Sequence, residues 1–175
     1  MLKRLLKLPF RRPSGEVLYA SAVAQARRPE FYADLGVPDR IDARFELYTL
    51  HVLLLVLRLR EEGQAGADAA QDLFDTYVSA LDHALRELGV GDLSIAKKMR
   101  KLGESLYGRM TAYEAPLKSD DIDGLAEALG RNLFEDAASP AARGLADYAV
   151  RSRASLAARP AEDLKNQPRW AEILP

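Results

Sequence analysis

Between Val52 and Leu57 the chain reads Val-Leu-Leu-Leu-Val-Leu, six apolar residues without a polar break. As a helix, such a run covers more than one full turn, so no side of it is left to face water. A helix apolar all round is buried on every side or lies in a membrane. The run is far short of the ~20 residues needed to span a bilayer, and Arg58, Arg60, Glu61 and Glu62 close it. It reads as the central post of a soluble helical domain. The post extends from Asp39 to Glu62, and its amphipathic first half, Arg40 to His51, enters the core from the surface.

The flanking sequence supplies helices to surround the post. Ser14 reads as the N-cap of a helix from Gly15 to about Arg28, with Leu18, Ala22, Gln25 and Ala26 inward and Tyr19 beside them. Pro29 begins a short helix contributing Phe31, Tyr32 and Leu35. Gly36 stops it, Val37 follows as an apolar contact, and Asp39 is the expected N-cap of the post. Gly63 and Gly66 mark the turn after the post. From Asp68 to Leu88, the residues Leu73, Phe74, Tyr77, Val78, Leu81, Leu85 and Leu88 recur at three- and four-residue steps, the period of an amphipathic helix. Gly89-Val90-Gly91-Asp92 then echoes Gly36-Val37-Pro38-Asp39: stop glycine, apolar residue, capping aspartate.

A long helix is expected from Leu93 to about Leu117, with Ile95, Met99, Leu102, Leu106, Tyr107, Met110 and Tyr113 inward. Gly103 and Gly108 fall inside it. Each costs up to ~1 kcal/mol relative to alanine, which predicts a kink or the close approach of another backbone. Ser119 caps a helix to about Phe134 carrying Ile122, Leu125, Leu129 and Leu133. Ser139-Pro140 opens another to about Ala158 with Leu145, Tyr148, Ala149 and Leu156. A short piece starts at Pro160, and Trp170, Ile173 and Leu174 hold the tail. No strand-like alternation appears. The expected fold is all-α, a single globular domain of about six principal helices around the buried post. It comprises a basic amphipathic segment over 1–13, a helical domain over 14–160 and a tail over 161–175.

Length and composition narrow the function. A chain of 175 residues can bury roughly 70% of its unfolded surface and needs no disulfide or metal to fold. It has no cysteine, which excludes thiolate nucleophiles, zinc ribbons and iron–sulfur ligation. The net charge of −1 argues against general nucleic-acid binding. That charge is unevenly spread: residues 1–12 carry five basic groups and no acid, leaving −6 on the remainder. The opening lacks the continuous apolar stretch and small-residue cleavage site of a signal peptide. Leu2, Leu5, Leu6 and Leu8 alternate with Lys3, Arg4 and Lys7 at roughly helical spacing. The pattern fits a weak membrane-surface contact through Leu2, Lys3, Arg4, Leu5, Leu6 and Lys7, or a frayed terminus whose leucines cover part of the core.

No catalytic constellation is present. The chain has no phosphate loop, no Gly-x-Ser-x-Gly and no His-Glu-x-x-His. Its two histidines, His51 and His83, are not in the Glu-x-x-His pairs of di-iron bundles. His51 flanks the apolar run and reads as a hydrogen-bonded core residue, and no cofactor is expected. Lys97, Lys98, Arg100 and Lys101 form a basic cluster that is either a solvated helix face or an anionic or protein contact. Tyr107-Gly108-Arg109 followed by Tyr113 places a gap between residue types that dominate binding hot spots, or packs helices through Gly108.

Several blocks, in order, resemble the ubiquinol–cytochrome c chaperone family. They are Tyr19 with Gln25-Ala26-Arg27; Phe31-Tyr32 with Gly36-Val37-Pro38-Asp39; Arg44-Phe45-Glu46 with Leu50-His51 and Arg58-Leu59; Leu73-Phe74 with Asp82 and Leu85-Arg86-Glu87; Gly89-Val90-Gly91-Asp92 with Lys97-Lys98-Met99; and Tyr107-Gly108-Arg109 with Tyr113. They span roughly residues 17 to 117. The resemblance implies a non-enzymatic assembly chaperone for the respiratory cytochrome bc complex. It would bind newly made cytochrome b, or another subunit, with or without a small accessory chaperone. The implied location is the cytoplasmic face of a bacterial inner membrane, or the matrix side for a mature mitochondrial form. The expected partner contact is Arg86, Asp92, Lys97, Lys98, Arg109 and Tyr113, with no direct nucleic-acid partner. A lipid- or quinone-binding helical protein, with or without enzymatic activity, is the competing reading of the apolar post.

Overall fold

The computed structural model describes residues 14–164 and 168–174. The expected membrane-contact residues Leu2, Lys3, Arg4, Leu5, Leu6 and Lys7 lie outside them. The described elements are α1 Ser14–Ala26, α2 Glu30–Ala33, α3 Ile41–Arg60, α4 Gly63–Glu87, α5 Asp92–Lys118, α6 Ile122–Leu129, a π-helical turn Gly130–Phe134, α7 Pro140–Ala157 and α8 Ala161–Leu164. No strand occurs among the described residues. The all-α expectation holds, with six principal helices and three short pieces.

The post is α3. It packs against α1, α4, α5, α7 and the π-helical turn, which explains why an all-apolar turn is stable there. Burial is unbroken from Thr49 to Leu59, further in both directions than the apolar run. Each fully buried leucine or valine contributes about 1.5–3 kcal/mol relative to exposure. The polar residues within this stretch are matched. The Thr49 hydroxyl donates to the Phe45 carbonyl at 2.9 Å and shares a 2.8 Å hydrogen bond with the Tyr77 hydroxyl. Arg58 donates to the Leu156 and Arg159 carbonyls at 3.2 and 2.8 Å and pairs with Glu62 at 2.5 Å.

His51 is fully buried between α1, α2 and α7. Its Nδ1 lies 2.7 Å from the Leu47 carbonyl, which can only accept, so Nδ1 carries the proton. Nε2 then accepts from the Tyr148 hydroxyl at 2.9 Å, whose oxygen takes the Gln25 amide N–H at 3.1 Å. Phe31, Tyr148 and Trp170 surround the imidazole, with ring centroids 5.4, 5.7 and 4.9 Å away. Burial pushes its pKa down to about 4. Trp170 also donates to Ser21 Oγ at 3.4 Å, and the Ala171 N–H donates to Ser152 Oγ at 3.2 Å. The tail is thus packed on the core by Trp170 and Ile173 as expected, while Leu174 is half exposed. Leu164 is also buried, so the core extends past residue 160.

Several local expectations are corrected. Asp39 is not the N-cap of the post: Arg40 occupies that position, and the Asp39 carboxylate accepts from Arg44 Nε at 2.7 Å. Gly91 likewise takes the cap position before α5, with Asp92 as the first helical residue. Asp121 rather than Ser119 caps α6, accepting the Gly124 N–H at 2.9 Å. Ser139 precedes the N1 proline of α7 without a side-chain cap bond. The segment Gly63–Gly66 is not a loop, because α4 already begins at Gly63. Gly66 lies against the end of α3, where a Cβ would sit 2.0 Å from the Leu59 carbonyl oxygen. The glycine therefore serves close packing at a tight corner.

Candidate functional site

The long helix α5 is fixed to the post by a buried polar cluster. Glu46 is 1% exposed on α3. Its carboxylate accepts from Arg109 Nε and, at 3.4 Å, from the Tyr113 hydroxyl. Arg109 also donates to the Ser105 carbonyl at 3.2 Å, and its guanidinium stacks 5.5 Å from the Phe45 ring centroid. Burial pushes the Glu46 carboxyl up to about 6, with Arg109 and Tyr113 opposing the rise. The Arg44-Phe45-Glu46 and Tyr107-Gly108-Arg109 blocks thus meet in space.

On the other side of this joint, α3, α4 and α5 enclose an open groove of about 430 Å³. Tyr107, Met110, Thr111 and Glu114 line it from α5 at i, i+3, i+4 and i+7; Ala70, Gln71 and Phe74 line it from α4; Val56 and Arg60 line it from α3. Val56 and Ala70 are buried and form the floor, Phe74 and Met110 are half-buried, and Tyr107 is 76% exposed at the rim. Glu114 and Arg60 supply one charge of each sign. A groove with an apolar floor, polar residues along its walls and this helical register is the kind of surface that accepts an amphipathic helix.

Beyond the groove, the distal half of α4 and the first half of α5 are covered mainly by each other. Among the described side chains of residues 79–105, only Ile95 is buried. The repeating leucines of α4 had the period of a core face, yet Leu81 and Leu85 are half-buried and Leu88 is 64% exposed.

The residues expected at a partner contact separate into two groups. Arg86, Lys97 and Lys98 are exposed around the α4–α5 corner, with Arg86 paired to Asp82 at 2.7 Å, and Asp92 opens α5. Arg109 and Tyr113 belong to the buried joint. Tyr113 is 0% exposed, so it holds Glu46 rather than rimming a surface. Tyr107, expected inward, is the ring that faces solvent. The groove residues Val56, Phe74 and Met110 were read as core. Val56 is core, as read; Phe74 and Met110 are only half-buried, and their open faces come together with Val56 only when three helices are assembled.

Gly103 and Gly108 do not admit a neighbouring backbone, because a Cβ on either would meet nothing within 4 Å. Gly103→Ala is expected to stabilise the fold by about 0.5–1 kcal/mol, measured by urea unfolding. Among the described residues no group of His, Asp or Glu is arranged to hold a metal, and no helix is long and apolar enough to cross a membrane.

Residues 33–170 match the family model described as ubiquinol-cytochrome C chaperone. The crystal structure of the Cbp3 homolog from Brucella abortus superposes with a TM-score of 0.82 at 35% identity, over 91% of this chain and 90% of that one. Ubiquinol-cytochrome-c reductase complex assembly factor 1 of Xenopus laevis is 27% identical over 117 residues, 67% of this chain and 58% of that protein. The Homo sapiens protein of that name is also 27% identical over 117 residues, there 39% of its length. The chain therefore spans about half the length of these two assembly factors. The match to the family model over most of the chain, together with the shared fold, shows that this chain belongs to the ubiquinol–cytochrome c chaperone family.

Proposed function

We propose that the chain is a non-enzymatic assembly chaperone for the respiratory cytochrome bc complex. In this reading it holds an apolar helical segment of newly made cytochrome b in the α3–α4–α5 groove. It works at the cytoplasmic face of a bacterial inner membrane, or on the matrix side in a mitochondrion. The relatives' names supply the assembly role, and the groove supplies the means. The observation that carries the reading is the i, i+3, i+4, i+7 row of Tyr107, Met110, Thr111 and Glu114 facing Phe74 over the Val56–Ala70 floor.

The physical case follows from the client. A helix destined for the bilayer exposes apolar side chains before it inserts, and water penalises that surface at about 25 cal/mol per Å². A preformed groove with an apolar floor of Val56, Ala70, Phe74 and Met110 shields one face, and its open side lets the client leave. A pocket for a small ligand encloses most of that ligand's surface. This groove is open along one side, which favours a helix over a quinone ring.

Tyr107→Glu puts a charge at the rim without disturbing the core. Its effect on stability is expected to stay within about 0.5 kcal/mol. In cells relying on this variant, assembled bc complex is expected to fall toward the level of the deletion strain while other respiratory complexes are spared. Blue-native gels and haem spectra read both. Normal bc complex in the variant strain would remove the groove from the account, and normal levels in the deletion strain would remove the assembly role.

A further inference from the structure

Two leucines stand in solvent at the corner between α4 and α5. Leu88 is 64% exposed and Leu93 is fully exposed. The corner that carries them is closed by backbone hydrogen bonds. Gly89 adopts φ +80°, its N–H donates to the Arg86 carbonyl at 2.9 Å, and the Val90 N–H reaches back to Leu85 at 3.1 Å. This is a Schellman stop. Gly91 then starts α5, accepting the Ser94 and Ile95 N–H groups at 2.9 and 3.1 Å. The leucines are therefore displayed by a hydrogen-bonded turn.

Charge surrounds them in a definite pattern. Residues 93–101 hold Lys97, Lys98, Arg100 and Lys101 and no carboxylate. Helical spacing puts Lys97 one turn from Leu93 on the same face, followed by Arg100 and Lys101. All four cations are exposed. Beside them, Leu85, Lys98, Lys101, Leu102 and Ser105 line a shallow groove of about 240 Å³, with leucines inside it and two ammonium groups among its lining. The next carboxylate along α5, Glu104, is exposed one turn further from the tip.

We propose that the α4–α5 corner is a docking tip for an anionic lipid surface. Leu88 and Leu93 enter the boundary between headgroups and acyl chains. Lys97, Lys98, Arg100 and Lys101 meet the phosphates, and the Leu85–Leu102 groove takes the glycerol end of one lipid. Exposed apolar side chains beside a cluster of four cations, which outnumber the adjacent carboxylates Glu87 and Asp92, are the chemistry of interfacial membrane binding. The tip is distinct from the client groove, so the protein rests on the bilayer by one end of α5 and offers the groove further along the same helix. This inference needs no client, and it stands or falls separately from the assembly reading.

The test is co-sedimentation of the full chain with vesicles of phosphatidylcholine alone, and with vesicles in which one lipid in three is phosphatidylglycerol. The native chain is expected to bind the second and not the first, and to be released by salt. Lys98→Glu with Lys101→Glu is expected to weaken partitioning about thirtyfold or more. Leu88→Ser with Leu93→Ser is expected to weaken it at least tenfold. All four positions are exposed or at a groove rim, and circular dichroism and melting verify that the fold is kept. A Leu93→Trp variant is expected to gain a blue-shifted emission on the anionic vesicles, beyond any change from Trp170 in the native chain. Equal partitioning of the native chain and both double variants, or a Leu93→Trp emission unchanged by vesicles, would overturn the proposal. So would binding lost only when residues 1–12 are removed. In any of these cases the exposed leucines would be a protein-facing surface.

Discussion

Replacing His51 with alanine is expected to lower the unfolding free energy by about 3–5 kcal/mol. The ring fills a site closed by Phe31, Tyr148 and Trp170, whose centroids are 5.4, 5.7 and 4.9 Å away, so truncation leaves a cavity that rigid aromatics cannot fill. It also removes the acceptor for the buried Tyr148 hydroxyl, 2.9 Å from Nε2. The tail should loosen first, because Trp170 packs on this imidazole from the far end of the chain.

The loss has a pH signature. Folded His51 titrates near about 4, against 6.5 for the unstrained side chain. Between these values the unfolded chain holds a proton that the folded chain refuses. Native stability therefore falls as pH drops through this window, by ~3 kcal/mol in all. His51→Ala abolishes that slope. Urea unfolding at several pH values measures both effects. A cost below ~1 kcal/mol, or an unchanged slope between pH 6.5 and 4, would contradict the assigned tautomer and packing.

Arg109→Ala carries the second large effect, about 3–5 kcal/mol at pH 7.5. Glu46 is 1% exposed and would lose both a hydrogen-bond donor and the cation that offsets its burial. Glu46 already titrates near about 6 with Arg109 in place, above its ordinary 4.5. Its sign is opposite to that of His51. Between pH 4.5 and 6 the folded chain holds a proton that the unfolded chain has released, so this group adds stability as pH falls, by ~2 kcal/mol. Without Arg109 the Glu46 pKa climbs further. Part of the damage should then be recovered on acidification toward pH 6, where a neutral carboxyl needs no counter-charge. Glu46→Gln should lack this recovery and, with its titration removed, expose the full acid-induced fall due to His51. If Arg109→Ala costs less than ~1 kcal/mol and shows no gain on acidification, Glu46 and Arg109 do not form the joint that fixes α5.

The post was legible because its signal is local: an apolar turn needs no partner to be recognised. The same locality hid its polar residues. Glu46 lies in an amphipathic half-helix where a carboxylate reads as solvent-facing, and its partner Arg109 is 63 residues away. Arg58 looked like the end of the buried run, but its carbonyl acceptors lie on and after α7, about 100 positions on. The caps failed for a related reason. Asp39 had a competing partner in Arg44, and an aspartate one residue from a helix start cannot be told from the cap by type alone.

The α4 and α5 leucines misled in the opposite direction. Their period was correct, but period reports a shared face and not how much covers it. Near the post that face is core. Toward the corner only the neighbouring helix covers it, leaving Leu88 to solvent. Tyr107 and Tyr113 repeat the lesson on a smaller scale. Six residues apart, they lie on different faces, and the exposed one rims the groove while the buried one holds Glu46.

In the proposed function, the groove beside Tyr107 receives cytochrome b. A photo-crosslinking residue at Thr111, exposed on the groove-lining face of α5, tests it in growing cells. A second at Asp34, exposed outside the groove, serves as the control. The Thr111 site is expected to capture newly made cytochrome b, the Asp34 site to capture none, and Tyr107→Glu to abolish the capture. Capture from Asp34 alone, or undiminished capture from Thr111 in the Tyr107→Glu background, would contradict it.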